Sequence, residues 1–174
     1  SSSTINPVVI PTPTGVPDAS SGDYDKDQII NPLSNDIRGS SNYPLVANSM
    51  KLCQVDNPAT SGVNEAQSPN SCSATSVTIP GEGTYTLNSD GTVTFNPLPT
   101  FYGTVVTPVR YQAQDTLGQF ENSTITPTVA QPPTATATND VSSGNYDTNQ
   151  LIRPLENDSS GSNEQTLLPE TVKL

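Results

Sequence analysis

Residues 144–158, GNYDTNQLIRPLEND, restate residues 22–36, GDYDKDQIINPLSND. At a constant offset of 122, the 35 residues from Asp140 to Leu174 align with Asp18 to Leu52, and 17 of the pairs are identical. The identities include Gly144 with Gly22, Tyr146 with Tyr24, Pro154 with Pro32, Asn157 with Asn35 and Lys173 with Lys51. Turn formers and apolar positions thus recur in one order. A catalytic motif is rarely copied whole in this way, whereas a structural unit is. A second echo joins STINPVV at 3–9 to STITPTV at 123–129, five of seven residues matching.

Together the echoes divide the chain. Residues 1–9 read as the last strand of a preceding repeat, and 10–17 as a linker. Residues 18–129 read as one complete repeat, 130–139 as a second linker, and 140–174 as the opening part of the next repeat. The period of about 120 residues is that of an independent domain, not of a solenoid turn. The expectation is a window cut from a tandem array, with 1–9 a strand and 140–174 following the path of 18–52.

A unit of this size can bury its own core. The most legible part is GTYTLNSDGTVTF, 83–95. Tyr85 and Leu87 alternate with threonines, Asn88–Gly91 supplies a turn, and Val93 and Phe95 alternate again, which predicts an antiparallel hairpin. Val109, Tyr111 and Ala113 alternate likewise before the turn DTLG at 115–118, and a return strand runs to Val129. Phe120 and Ile125 differ in parity, which predicts a bulge or break between them. Further strands are expected at Gln28–Ile30, Ser49–Leu52 and Ser76–Ile79. No stretch has helical periodicity with caps. The fold class is all-β, a β-sandwich, with Tyr85, Leu87, Val93, Phe95, Val109 and Tyr111 turned inward.

Chemistry is sparse. The chain has no His, so Ser-His-Asp and Cys-His arrangements are excluded. No pocket-forming pattern marks a carboxylate pair for acid–base work. The expectation is that the protein is not an enzyme. With a net charge of −11 and six Lys and Arg, nucleic acid and anionic membranes are poor partners. No apolar run long enough to span a bilayer occurs, so no membrane insertion is expected. Cys53 and Cys72 are the only cysteines and bracket a Pro/Ser/Asn-rich loop. Two thiolates without His do not make a zinc site, so a disulfide is expected. It would close the loop at a gain of about 3 kcal/mol and imply an oxidising compartment. Asp23, Asp25 and Asp27 form a D-x-D-x-D pattern that could ligate calcium, but the echo at Asn145, Asp147 and Asn149 keeps one carboxylate. They are weak calcium candidates beside the reading of a solvated surface, and no other cofactor is expected. Asn122-Ser123-Thr124 and Asn157-Asp158-Ser159 are formal glycosylation sequons, common by chance in so Ser/Asn-rich a chain.

The stretch 76–119 resembles the CshA-type fibril repeat of bacterial surface adhesins. The resemblance rests on Pro80–Tyr85, Asp90–Phe95, Phe101 with Gly103, Thr107–Tyr111 and Asp115–Gly118, and on NPLSND at 31–36, echoed as RPLEND. It implies tandem β-sandwich modules, immunoglobulin- or cadherin-like, in an extracellular stalk that holds a binding tip away from the cell. Neighbouring repeats would be the partners. Related cadherin-like repeats often follow the Asn-Asp pair with an acidic D-x-D-G run, where this chain has Ile37-Arg38-Gly39, which weakens the case for calcium. Two functions follow. One is a structural segment that sets the length of a surface fibre. The other is an adhesive module whose Cys53–Cys72 loop contacts a receptor or glycan, although that loop lacks the aromatics of good contact surfaces.

Overall fold

A computed structural model describes residues 9–53, 72–161 and 166–173. The chain divides into two compact units, 1–131 and 132–174.

The first unit is an all-β sandwich of two sheets. One contains β1 (Asp18–Gly22), β9 (Phe120–Val129), β8 (Val109–Asp115) and β3 (Leu45–Leu52) in that order, with β7 (Gly103–Thr104) also on β9. The other runs β2 (Gln28–Ile30), β6 (Val93–Pro97), β5 (Gly83–Leu87), β4 (Ser76–Ile79). Neighbouring strands are antiparallel except β1 and β9, which run parallel with Asp18 beside Ile125 and Gly22 beside Val129.

The alternation read from the sequence places the core. Tyr85, Val93, Phe95, Val109 and Tyr111 are fully buried, and Leu87 packs partly buried against them. The Tyr85 and Phe95 rings lie 4.7 Å apart, and Phe101 meets Phe95 edge-on at 6.5 Å, geometry that aromatic pairs favour. On the outer face threonines pair across strands, as Thr78 with Thr84 at 3.0 Å. The 88–91 turn requires glycine at its end: Gly91 has φ +86°, and a Cβ there would crowd Ala47.

Two expectations are corrected. No bulge interrupts β9, whose register against β8 is unbroken from Phe120 to Ile125. Phe120 simply faces outward, 37% exposed, while Glu121 takes the inward place. The irregularity lies in β3, which begins at Leu45 and shifts register between Val46 and Lys51. Residues 47–50 stand against Ala113 alone, and among them Ser49 donates to Val46 O at 2.6 Å and accepts the Gln114 N–H at 2.8 Å, so that amide of β8 keeps a partner across the shift.

Residues 10–17, read as a linker, form an arm bonded to the sandwich. Thr14 and Ile37 exchange both backbone hydrogen bonds at 2.8 and 2.9 Å, and the Val16 N–H reaches Asp36 Oδ1 at 2.6 Å. A Cβ at Gly39 would overlap the Pro11 carbonyl, so only glycine lets the arm pass. Of the strand expected at 1–9, residues 1–8 lie outside the described residues.

The second unit repeats these local contacts. Thr136 and Ser159 exchange backbone bonds at 2.8 and 2.9 Å, the Thr138 N–H reaches Asp158 Oδ1 at 2.7 Å, and a Cβ at Gly161 would overlap the Thr134 carbonyl. Ser142 bonds Gln150 as Ser20 bonds Gln28. Asp25 and Asp147 share a left-handed conformation, φ 55° and 56°. The strands are not repeated: the counterparts of β1 and β2 are not strands, and Pro169–Thr171, aligned with part of β3, is a short 3-10 turn.

Candidate functional site

The calcium candidates lie on the exposed connection between β1 and β2. Asp25 holds the left-handed turn position, and Asp27 accepts the Asn96 side-chain amide at 2.5 Å. Nothing gathers the three: among the described residues no group of three or more His, Cys, Asp or Glu is placed to hold a metal. Cys53 and Cys72 are joined by a disulfide, both buried. The loop they close, 54–71, lies outside the described residues. Cys53 extends β3 by donating its N–H to the Arg110 carbonyl at 2.9 Å, and Leu52 pairs with Ala74. The disulfide thus ties the ends of the loop beside the edge of the first sheet. Of the sequons, Asn122 lies within β9 and accepts the Gln112 amide at 3.1 Å, and Asn157 donates to the Asn139 carbonyl at 3.2 Å.

Buried carboxylates are the unexpected feature. Glu82 ends the β4–β5 turn and accepts the N–H groups of Val106 and Thr107 at 2.8 and 3.2 Å, pinning the loop between β7 and β8. Tyr85 has a buried hydroxyl without a hydrogen-bond partner; burial, and secondarily the Glu82 charge, push its ionisation above the usual range.

A second group gathers where the arm joins the sandwich. Asp36 accepts the Val16 N–H with one oxygen and the Tyr111 hydroxyl, at 2.9 Å, with the other. Asp18 begins β1 and is buried, and its Oδ2 has no hydrogen-bond partner. Glu121 is 2% exposed, and neither of its carboxyl oxygens has one. Burial raises the Asp18 carboxyl to about 6, with the polar side chains of Tyr111 and Asn35 opposing the rise and the Asp36 charge adding to it. Burial raises Glu121 to about 8, with the negative charges of Asp36 and Asp18 adding to it. Burial and the hydrogen bond to Asp36 push the Tyr111 hydroxyl well above its ordinary range. Sequence reasoning placed Tyr111 in the core but missed the acids around it. A signal existed in the Asn35-Asp36 pair, repeated as Asn157-Asp158, and in the parity that puts Glu121 in line with Ser123 and Ile125.

Among the described residues no helix is long and apolar enough to cross a membrane. Residues 10–129 match the family described as the surface adhesin CshA repetitive domain. The match begins at the arm, not at the first strand. Comparisons with curated proteins and with solved structures gave no match.

Proposed function

Because the chain belongs to the surface adhesin CshA repetitive-domain family, we propose that it is a structural spacer: one sandwich of a cell-surface fibre, with neighbouring repeats as its partners. The observation that carries this is the recurrence of the arm and its anchor. Thr14 with Ile37 and Val16 with Asp36 in the first copy become Thr136 with Ser159 and Thr138 with Asp158 in the second. An arm held to its own repeat does not act as a free linker; it fixes the start of each module. Repetition of such modules sets length, and the chemistry found here, buried carboxylates and a disulfide without a shared cleft, serves the fold rather than a substrate.

The test is to display arrays of two, four and eight copies of residues 10–131 below one fixed tip domain. Reach, read by electron microscopy, should grow in proportion to copy number. Replacing residues 54–71 with a Gly/Ser loop of equal length should leave adherence unchanged. Loss of adherence from that replacement, with reach intact, would instead make the disulfide-closed loop the adhesive element. Reach that did not grow with copy number would end the spacer reading.

A further inference from the structure

We propose that a groove in the second unit is a docking site for the β8–β9 hairpin of another copy of this repeat. The inference does not depend on the spacer reading, since it concerns which segment one open surface accepts.

The groove holds about 520 Å³ and is lined by Pro154, Leu155, Pro169 and Val172, together with Arg153 and Glu156. It is open: Val172 is 38% exposed, and Pro154 and Leu155 are half-buried. At the offset of 122 its apolar members Pro154, Leu155 and Val172 answer to Pro32, Leu33 and Met50. In the first unit Pro32 and Met50 are fully buried, and Leu33 packs against the core that holds Val109, Tyr111 and Ala113 of β8. The Tyr111 hydroxyl donates to the Pro32 carbonyl at 3.4 Å, and Leu52, on the same face of β3 as Met50, stands opposite Tyr111 in the ladder. The first unit therefore shows what fills this place.

The polar anchor for that strand is repeated as well. Asp36 accepts the Val16 N–H at 2.6 Å with one oxygen and the Tyr111 hydroxyl at 2.9 Å with the other. Asp158 is oriented by the same bond, from the Thr138 N–H at 2.7 Å. Its second oxygen is the acceptor to which a tyrosine hydroxyl seated in the groove would donate. The turn that carries the lining is kept too: the Glu156 N–H donates to the Arg153 carbonyl at 3.1 Å, as Ser34 does to Asn31 at 3.2 Å. Lys173 holds the place of Lys51, which faces Gln112 in the β3–β8 ladder. The acceptor frame thus stands in advance of its strand, and a preformed frame loses little freedom on binding.

These features select the occupant. It must be a strand with apolar residues at alternate positions and a tyrosine among them, as Val109, Tyr111 and Ala113 provide. It must also bring a second strand to pair the backbone groups turned away from the groove, as β9 does from Phe120 to Ile125. A free two-stranded hairpin is marginal in water and leaves its apolar face bare, so burial in the groove drives association. A copy that places its hairpin here is joined to this one by strand exchange.

The experiment titrates a synthetic peptide with the sequence of residues 105–129 into the intact 174-residue chain, followed by nuclear magnetic resonance. The amide signals of Thr138, Glu156 and Val172 should shift and saturate, and the peptide's tyrosine ring should show Overhauser contacts to Leu155 and Val172. Tyr111→Phe in the peptide should weaken binding by about tenfold, the effect of losing one hydrogen bond to a charged acceptor. Leu155→Asp in the chain, which puts a charge into the apolar lining, should abolish it. Should that variant lose its Thr136–Ser159 bridge, the Tyr111→Phe peptide decides instead. No saturation by about 1 mM peptide overturns the proposal. So does equal binding by the Tyr111→Phe peptide or by one of the same composition in scrambled order. Shifts confined to residues 14–129 would show exchange with the first unit's own hairpin and would also overturn it.

Discussion

Ile30 and Ile152 occupy the same place in the repeat, yet Ile30 is 6% exposed and Ile152 51%. Gln28 is buried and bonds Ser20 and the Thr128 carbonyl; Gln150 keeps the serine contact and lies open. Tyr24 donates to the Pro99 carbonyl, whereas Tyr146 is 99% exposed. What differs is the company: β6, β8 and β9 cover the first copy, and their equivalents are not in the second unit. The arm bridge, the Asx contact to its amide, the left-handed Asp and the glycine crossing survive the loss. The strands do not. Turn chemistry is therefore written into a short stretch of chain, while strand identity depends on a partner ladder and a shared core.

The largest test of this division is Phe95→Ala. It removes a fully buried ring between Tyr85 and Phe101 and should cost the sandwich about 3–5 kcal/mol in chemical denaturation. The amide spectrum of 134–161 should not change. A cost under about 1 kcal/mol would contradict the core position of Phe95.

Breaking the Cys53–Cys72 bond comes next. A Cys53→Ser, Cys72→Ser double variant should lose about 3 kcal/mol from release of a loop that spans 19 positions, again confined to the first unit. Mass spectrometry of native, unreduced protein should find both thiols absent; two alkylatable thiols would remove the disulfide from the account.

Gly39→Ala and Gly161→Ala act where the copies agree. Each puts a methyl into the arm's carbonyl, so each should abolish amide protection at its own bridge, Thr14–Ile37 or Thr136–Ser159. In the sandwich the cost should be about 1–3 kcal/mol. If only Gly39→Ala had an effect, the second arm would not be docked as the first is.

Ile30→Val against Ile152→Val gives the smallest and sharpest contrast. The first should cost about 0.5–1.5 kcal/mol and the second nothing measurable, since only the first methyl leaves a packed site. Equal costs would show that residues 132–174 bury Ile152 in solution.

The hairpin at 83–95 was legible because two independent signals coincide there, period-two alternation and an Asp-Gly turn. β8 was legible by alternation and its DTLG turn. β9 was misread at Phe120 because hydropathy assigns an aromatic to the core and a glutamate to water. Here the ladder parity set by Ser123 and Ile125 overrides both preferences, and the cost of burying Glu121 falls on its ionisation, which no hydropathy pattern records. The arm was read as a linker because Pro and Thr composition looks the same whether or not the backbone is bonded. Its anchors are backbone amides, a carboxylate 20 residues further on and a crossing glycine. The parallel β1–β9 pair had no local signal at all, since it joins the first strand of the unit to its last.

That parallel pair decides how the module answers a pull along its chain. The chain enters β1 at Asp18 and leaves β9 at Val129, and Val129 lies beside Gly22, at the far end of the shared ladder. Tension between the two points therefore slides one strand along the other and strains every rung at once. Antiparallel terminal strands would put both points at one end and part like a zip, rung after rung. Resistance here is the sum of the rungs, and a module can hold until the whole register slips.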